Sequence, residues 1–379
     1  MPEDLPAGGV PGFGELNRRY PEKTFYLGQV FNDTTNSYKL AWFLAVLALL
    51  ERSARPTLLL TDILVEMAVV AWPPVCLYRL SLGRQDKLQE TVQAIRVRSG
   101  LPLNAKPVEI RSHINGSAAS QVNLAFLSRY VPTRFLAPWF ADRLRGIPDS
   151  QRSALTERMA AETQATPLAC PYWFRNGEIR LNEGWRAFLR DNSAVARAFA
   201  EHRLAQYLQA RNPNVPGVIN KLAVPLSRQL SAASGFWRAV RAELAHRGKS
   251  GELVDIYTGR PVAERFSIDH FLPWSFVAHD LMWNLTPVEP ATNSSKSDAV
   301  TDLGLHLPRL AKLQFVAVQA LQGRERLLED HTDCFQLDVA SLLALGEEGL
   351  LKKYEAIIPP QAQIAANQGF PAAWKWRGA

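Results

Sequence analysis

The sequence predicts an α+β protein that is mainly α-helical and contains one small strand-bearing module. Apolar residues recur at helical spacing through most of the 379-residue chain. By contrast, an alternating apolar stretch ends at Asp269 and His270, as expected for a strand. A second short strand pair is predicted at residues 173–181, where Asn176 and Gly177 are typical of a hairpin turn.

Helical periodicity and turn residues predict the order of elements. A polar cluster at residues 33–37 supplies capping residues for a helix that starts near Tyr38. Further helices are predicted at residues 57–71, 85–98, 117–129, 134–145, 150–164, 191–210, 235–246 and, in two or three pieces, 307–358. A proline-bearing connector lies at residues 212–216. We therefore expect three regions: a helical domain for substrate selection or partner binding (1–215), a basic lead-in helix with the strand-bearing module (216–300), and a C-terminal helical region (301–379).

Composition argues against a membrane protein. The apolar run at residues 40–50 is too short for a span, which needs about 20 residues. The run at residues 57–80 is long enough, but it contains Asp62, Glu66 and a Pro-Pro pair, which favours a buried helical hairpin. No signal peptide is apparent, and the three cysteines are far apart in sequence. These features predict a cytoplasmic protein without a disulfide framework.

The most informative motif spans residues 267–298 and suits phosphodiester hydrolysis. His270 can be neutral near pH 7 and can accept the proton of an attacking water as general base. Asp269 and Asn293 offer a carboxylate and an amide oxygen, which suit Mg²⁺ or Mn²⁺. Asn284 follows His270 by 14 positions and can hold the backbone of the intervening loop by side-chain hydrogen bonds.

Two local features complete the predicted geometry. Asp269 and His270 can serve different partners only if the strand ends there, and Pro273 supports such an end. Asn293 and the serines after it suit the start of a short helix. Each motif residue alone also fits an ordinary role as a turn, core or capping residue, but their joint spacing favours catalysis. His279 and Asp280 are expected to be solvated loop residues.

The residue types and offsets together resemble the HNH endonuclease family over residues 253–300. The resemblance implies a ββα-metal fold, in which two antiparallel strands and a helix surround one divalent cation. It also implies that Lys296 contacts the substrate phosphate and joins His270 and Asn284 in the catalytic set. Many members carry two Cys-x-x-Cys pairs that bind zinc. The corresponding residues 256–259 and 289–292 include no cysteine, so no structural zinc is expected and flanking helices must support the module.

Charge is distributed unevenly around this motif. The chain has a net charge of +7, whereas residues 251–300 contain three Lys or Arg against seven Asp or Glu. Residues 203–250 contain eight Lys or Arg against one Glu, which favours this segment for holding a phosphate backbone. The alternative is a solvated helix face. The candidate nucleic-acid contacts are Arg228, Arg238, Arg241, Lys249 and Lys296.

The sequence thus predicts a metal-dependent endonuclease that acts on DNA. No Gly-x-Ser-x-Gly element, His-Glu-x-x-His helix or complete phosphate-binding loop occurs. One site cuts one strand, so nicking is expected, and double-strand cleavage would require a homodimer or two encounters. The resemblance implies a bacterial anti-phage defence system, with its other subunits as partners. The alternatives are a partner-recruited interaction subunit whose nuclease is conditionally silent, and a nuclease directed at RNA.

Overall fold

The computed structural model describes residues 17–32, 34–53, 55–164, 169–222, 230–248 and 252–378, with the backbone alone at 121–123. The chain forms two compact units, Met1–Pro213 and Asn214–Ala379. The boundary lies inside the predicted connector at residues 212–216.

The first unit is mainly helical. Its α-helices are α1 (Pro21–Val30), α2 (Tyr38–Arg52), α3 (Leu60–Trp72), α4 (Lys87–Ser99), α5 (Pro107–Asn115), α6 (Ala118–Ser128), α7 (Val131–Leu136), α8 (Ala141–Leu144), α9 (Asp149–Glu162), α10 (Glu183–Asp191) and α11 (Ser193–Arg211). Its strands are β1 (Thr57–Leu59), β2 (Tyr172–Arg175) and β3 (Glu178–Leu181), which form an antiparallel sheet in the order β1-β3-β2. The predicted hairpin is confirmed, because β2 and β3 pair across Asn176 and Gly177, both at positive φ.

Helices α2 and α3 form the centre of this unit, since most of their residues are buried. Two predicted helices need correction. The helix expected at 57–71 begins only at Leu60, because Thr57–Leu59 pairs with β3. The helix expected at 134–145 is divided among α7, a 3₁₀ turn (Ala137–Phe140) and α8, and Pro138 has no N–H for a continuous helix. Helices α1, α5 and α10 are additional, and α5 begins at Pro107.

One apolar stretch among the described residues, Leu60–Leu77, meets the length and composition of a membrane span. It comprises α3 and a π-helical turn, Pro73–Leu77, and 67% of it is buried inside the protein. This burial fits a core helix, and it agrees with the predicted buried position of the run.

The second unit contains the predicted module and the C-terminal helices. Its helices are α12 (Leu230–His246), α13 (Trp274–Val277), α14 (Pro290–Lys296), α15 (Leu303–Ala320), α16 (Glu329–Phe335) and α17 (Val339–Asn367), which bends at Gly346. Its strands are β4 (Ser267–His270) and β5 (Leu285–Val288), which pair in antiparallel register.

One hydrophobic core joins these elements. It includes Trp237 of α12, Leu285 of β5, Leu310 of α15 and Tyr354 of α17, each fully buried. We expected residues 216–300 and 301–379 to be separate regions, and the structure places both in the same unit. The physical reason is the small size of the strand pair, whose apolar side chains are covered by α12 and α15.

Candidate active site

The site is built on the short ladder between β4 and β5. Asp269 pairs with Thr286 and His270 with Leu285. Strand β4 ends at His270, as predicted, and α13 begins after Pro273. Helix α14 packs against β4, so the unit has the ββα arrangement that the sequence predicts. Asp269 and His270 are both buried, with relative exposures of 3% and 5%.

The Asp269 carboxylate has two side-chain partners. The Tyr257 hydroxyl donates to Asp269 Oδ2 at 2.6 Å, and Lys296 Nζ lies 3.0 Å from the same oxygen. Burial raises the pKa of Tyr257 well above its usual value, and the negative charge of Asp269 raises it further. Tyr257 is therefore a stable hydrogen-bond donor that fixes the rotamer of Asp269.

Lys296, which the resemblance places against the substrate phosphate, is buried beside Asp269 and His270. Its Nζ donates to the carbonyl oxygen of His270 at 2.6 Å and to Asp269 Oδ1 at 3.3 Å, and the residue is only 1% exposed. The ammonium thus compensates the buried Asp269 carboxylate. It remains inside the candidate site, because it touches both Asp269 and His270.

His270 is oriented by Asp280, which the sequence predicts to be a solvated loop residue. His270 Nε2 lies 2.8 Å from Asp280 Oδ1, and the Asp280 side chain is 20% exposed. An ionised carboxylate only accepts hydrogen bonds, so Nε2 carries the hydrogen and Nδ1 is the basic nitrogen. A histidine that acts as general base is commonly oriented by a third group such as a carboxylate. This requirement is the signal by which Asp280 could be predicted from the sequence.

His279 is also not solvated. It is half-buried, and burial lowers its pKa to about 4, while a proton on neighbouring His270 would lower it further. Its ring packs against Trp283 at 5.3 Å between centroids. His279 is therefore a neutral packing residue at neutral pH.

Asn284 lies where it can hold the loop between the strands. Its Nδ2 donates to the carbonyl oxygen of Leu272 at 3.0 Å, and the Leu272 N–H donates to Oδ1 at 2.9 Å. The Phe271 N–H donates to the Asn284 carbonyl oxygen at 2.8 Å. These bonds fix the backbone directly after His270, which is the type of contact expected from the sequence.

Asn293 lies in the middle of α14 and not at its start. The helix begins at Pro290, which suits the first helical position because proline lacks an N–H. Asn293 Nδ2 donates to the Ile268 carbonyl oxygen at 3.3 Å, so its side chain lies beside the residue that precedes Asp269. The predicted helix start at Asn293 is therefore wrong, while its position next to Asp269 agrees with the motif.

The oxygen donors present fit a hard divalent cation. Asp269 supplies a carboxylate and Asn293 an amide oxygen, the ligand types that Mg²⁺ and Mn²⁺ accept. Within the described part of the chain, no group of three or more His, Cys, Asp or Glu residues is placed to hold a metal. A cation here would have one carboxylate and would keep several water ligands, as Mg²⁺ commonly does.

Comparison with known protein families identifies one segment of the chain. The model of the HNH endonuclease family matches residues 255–301, which contain all of the contacts described above. These residues are an HNH endonuclease module. The resemblance inferred from the sequence is thereby confirmed, and the chain carries a nuclease domain that acts on nucleic acid. Comparisons with curated proteins and with solved structures find no match.

A buried carboxylate joins the two places in the HNH module where zinc-binding relatives carry cysteine pairs. Asp255 is fully buried, and its Oδ1 accepts from the N–H groups of Tyr257 at 2.8 Å and Thr258 at 3.2 Å. Its Oδ2 accepts from the Glu289 N–H at 3.2 Å. Asp255 thus connects residues 256–259 to residues 289–292, the same two segments that zinc would join.

The C-terminal tail supports the same corner of the HNH module. Trp374 forms a parallel bridge with Thr301, and its ring lies 5.3 Å from that of Tyr257. The His306 ring contacts Tyr257 at 5.1 Å, and its Nδ1 lies 2.5 Å from Thr301 Oγ1. Tyr257, which holds Asp269, is therefore itself enclosed by aromatic rings.

The predicted nucleic-acid contacts differ in their surroundings. Arg238 on α12 is exposed. Arg241 is instead bonded to protein: its guanidinium donates to the carbonyl oxygens of Val262 and Ala263 at 2.9 and 3.0 Å. Arg228 and Lys249 lie outside the described residues. The structure therefore brings Asp269, His270, Asn284, Asn293 and Lys296 together, and leaves Arg238 as an exposed cation on a neighbouring helix.

Proposed function

We propose that the chain is a metal-dependent HNH endonuclease that hydrolyses phosphodiester bonds in DNA. The observation that carries the proposal is the 2.8 Å contact between His270 Nε2 and Asp280 Oδ1, at the end of the strand that presents Asp269. A histidine with one nitrogen held by a carboxylate and the other left basic is the arrangement of a general base.

Each side chain of the site has a separate role in hydrolysis. His270 Nδ1 takes the proton of the attacking water, while Asp280 holds the ring and stabilises the charge that it acquires. Asn284 keeps the backbone after His270 in place through Leu272. The oxygens of Asp269 and Asn293 would hold Mg²⁺ or Mn²⁺, which when bound neutralises phosphate charge and stabilises the leaving oxygen. Lys296 contributes a positive charge beside Asp269.

The substrate is proposed to be DNA because of the positive net charge and the exposed arginine on α12. The chain carries +7 overall, and Arg238 is exposed on a helix that packs against β4 and β5. Such cations bind the phosphate backbone without reading its sequence. A single HNH module cuts one strand per event, so we propose nicking, with double-strand cleavage only by a homodimer or by two encounters.

We further propose a cytoplasmic location and a role in bacterial anti-phage defence, with other subunits of the same system as partners. This context rests on resemblance to freestanding HNH nucleases alone. A regulated nuclease would suit such a role, because an unrestrained endonuclease would damage the DNA of its own cell.

Replacing His270 tests the proposal. His270→Ala should lower the rate of plasmid nicking by about 10²- to 10⁴-fold, because it removes the proton acceptor. Affinity for DNA should change little, because the lost group acts on a proton and not on binding. The measurement is conversion of supercoiled plasmid to open circles with Mg²⁺, alongside linear duplex DNA and structured RNA.

The control is His202→Ala, which removes an exposed histidine of α11. Wild-type cleavage by purified His270→Ala would remove His270 from the mechanism. Faster cleavage of RNA than of duplex DNA would replace DNA as the substrate. Equal plating of phage on cells that carry wild type or His270→Ala would argue against the defence role.

A further inference from the structure

The first unit contains a cavity of about 350 Å³, remote in sequence from the HNH module. It is formed by the segment that leads into α2, by α6 and α7, and by one face of α9. Small-molecule sites commonly have volumes of roughly 300–1,000 Å³, so this cavity can hold a compact ligand. Its lining is chemically specific in three respects: charge, aromatic surface and hydrogen-bonding groups.

The residues that line the cavity carry a net positive charge. Lys39, Arg134 and Arg152 line the cavity against a single acidic residue, Asp149. Arg134 and Asp149 form an ion pair at 2.8 Å. Arg152 Nε donates to the carbonyl oxygen of Ile147 at 2.8 Å, a contact that orients its guanidinium without neutralising it. This excess of positive charge favours an anionic ligand.

Two aromatic side chains of the lining remain partly exposed. Phe126 is 40% exposed and Tyr130 is 39% exposed. The Arg134 guanidinium lies 5.1 Å from the centroid of the Tyr130 ring, which makes a cation–π pair at the cavity wall. Aromatic rings and guanidinium planes are the surfaces on which nucleobases stack. A ligand with a flat aromatic group would cover apolar surface that is otherwise in contact with water.

The polar cluster before α2 lines the same cavity. The sequence predicts that residues 33–37 cap this helix, but the N-cap residue Ser37 makes no side-chain cap. Its hydroxyl donates instead to Asp86 at 2.8 Å. Thr34, Thr35 and Asn36 line the cavity together with Ser153 of α9. Hydroxyl and amide groups of this kind can bind the hydroxyls of a sugar.

We propose that this cavity binds a phosphorylated nucleoside. Its phosphate would lie against Lys39 and Arg152, its base against Phe126, and its ribose near Asn36 and Ser153. A sugar phosphate would not need the exposed aromatic surface, and an uncharged nucleoside would not need the excess of cations. The ligand is either a free nucleotide or the terminal nucleotide of a single strand, since both present the same chemistry.

Calorimetric titration of the full chain without divalent cations tests the site independently of cleavage. The probes are the four ribonucleoside 5′-monophosphates and 5′-triphosphates, the matching nucleosides, ribose 5-phosphate and inorganic phosphate. At least one nucleotide should bind about tenfold or more tightly than its nucleoside and than ribose 5-phosphate, because charged hydrogen bonds and base stacking both contribute. Binding of no nucleotide below about 1 mM, or equal binding of the nucleoside, would overturn the proposal.

Two charge-reversal variants of the same helix locate the site. Arg152→Glu should weaken nucleotide binding by about 100-fold, because it replaces an attraction for phosphate with a repulsion. Arg158→Glu is the matched control, since Arg158 is an exposed residue of α9 outside the cavity lining. Phe126→Leu should weaken nucleotide binding while leaving any binding of ribose 5-phosphate unchanged. Equal effects of Arg152→Glu and Arg158→Glu would place the bound nucleotide elsewhere and overturn the assignment.

A last comparison separates the two sources of the ligand. A 5′-phosphorylated single-stranded tetranucleotide competes with the best mononucleotide in the same titration. Tighter binding of the tetranucleotide, lost in Arg152→Glu, assigns the site to the end of a nucleic-acid strand. Equal or weaker binding assigns it to a free nucleotide. Thermal denaturation of each unliganded variant verifies that the fold is retained.

Discussion

At the scale of single residues, the candidate site is defined by partners that lie far apart in sequence. Asp269 and His270 could be predicted from their spacing to the two asparagines. The partners of Asp269 could not, because Tyr257 is 12 positions before Asp269 and Lys296 is 27 positions after it. Such contacts follow from the way that α14 packs on β4. Only the structure shows that Lys296 balances Asp269 and that Tyr257 holds it.

Tyr257→Phe tests whether positioning of Asp269 limits the reaction. The variant removes the 2.6 Å hydrogen bond to Asp269 and keeps the packed ring. Loss of such supporting contacts commonly costs about 10- to 100-fold in metal affinity or activity. We expect the nicking rate at limiting Mg²⁺ to fall by this amount, with partial recovery at high Mg²⁺. The measurement is the Mg²⁺ dependence of plasmid nicking.

Tyr172→Phe is the matched control, because Tyr172 is also buried and its hydroxyl donates to a backbone carbonyl in the first unit at 2.7 Å. It should leave the Mg²⁺ dependence unchanged. A Tyr257→Phe variant with a normal Mg²⁺ dependence and reduced thermal stability would indicate a purely structural tyrosine.

At the scale of elements, α12 shows why a cluster of charge does not identify a binding surface. One of its arginines, and another directly after its end, bind protein carbonyls. Arg241 holds residues 262 and 263 before β4, and Arg247 donates to the carbonyls of Gln319 and Ala320 at the end of α15. The sequence places all of them in one basic segment, but it contains no information about which carbonyls lie within reach.

Separate variants of Arg238 and Arg241 distinguish binding from support. Arg238→Glu should weaken DNA binding and reduce the slope of log affinity against log salt by about one unit. Arg241→Met should instead lower the free energy of unfolding by about 1–3 kcal/mol, because two carbonyls lose a charged donor, and should change the slope little. Fluorescence anisotropy of labelled duplex DNA at several salt concentrations, with urea unfolding of each variant, measures both effects. The reverse pattern would exchange the two roles.

Some helices and strands follow from local sequence, whereas others depend on partners that are distant in the chain. The hairpin at Asn176 and Gly177 and the end of β4 at His270 follow from local turn chemistry, which the sequence contains. Helix α14 starts three residues before the predicted start at Asn293, because Pro290 suits the first helical position. Strand β1 lies where the sequence predicts a helix, because two of its three residues are leucines and its partner β3 is distant in sequence.

At the scale of the whole second unit, buried histidines link stability to pH. Burial lowers the pKa of His331 to about 4, and burial with nearby positive charge lowers those of His279 and His306 to about 4. Their usual pKa is about 6.5, so the unfolded chain binds more protons below that pH. The contribution of these histidines to the free energy of unfolding should therefore be constant above pH 6.5. It should fall as the pH decreases towards 4.

The variant His331→Asn tests this linkage. His331 is fully buried and its Nε2 lies 2.9 Å from Gln314 Oε1, so it should contribute up to about 3 kcal/mol of the pH dependence. Urea unfolding between about pH 7.5 and pH 4.5 should show a smaller loss of stability for the variant than for wild type. His246→Asn, an exposed position of α12, is the control and should retain the wild-type slope. A variant slope equal to that of wild type would exclude His331 as a source of the acid sensitivity.

The HNH module should be held together by packing and by Asp255, not by a metal. Asp255 joins the turn at Tyr257 to the start of α14, and the shared core with α12 and α15 covers the strand pair. Asp255→Ala should therefore lower the free energy of unfolding by about 3 kcal/mol, because it leaves buried N–H groups without an acceptor.

Chelation with EDTA should abolish nicking with almost no change in melting temperature, and Mg²⁺ or Mn²⁺ should restore nicking. The measurements are thermal denaturation and plasmid nicking of the same preparations, with metal content determined before chelation. Stoichiometric zinc in the purified protein, with a large loss of melting temperature on chelation, would mean that a metal performs the structural role assigned here to Asp255.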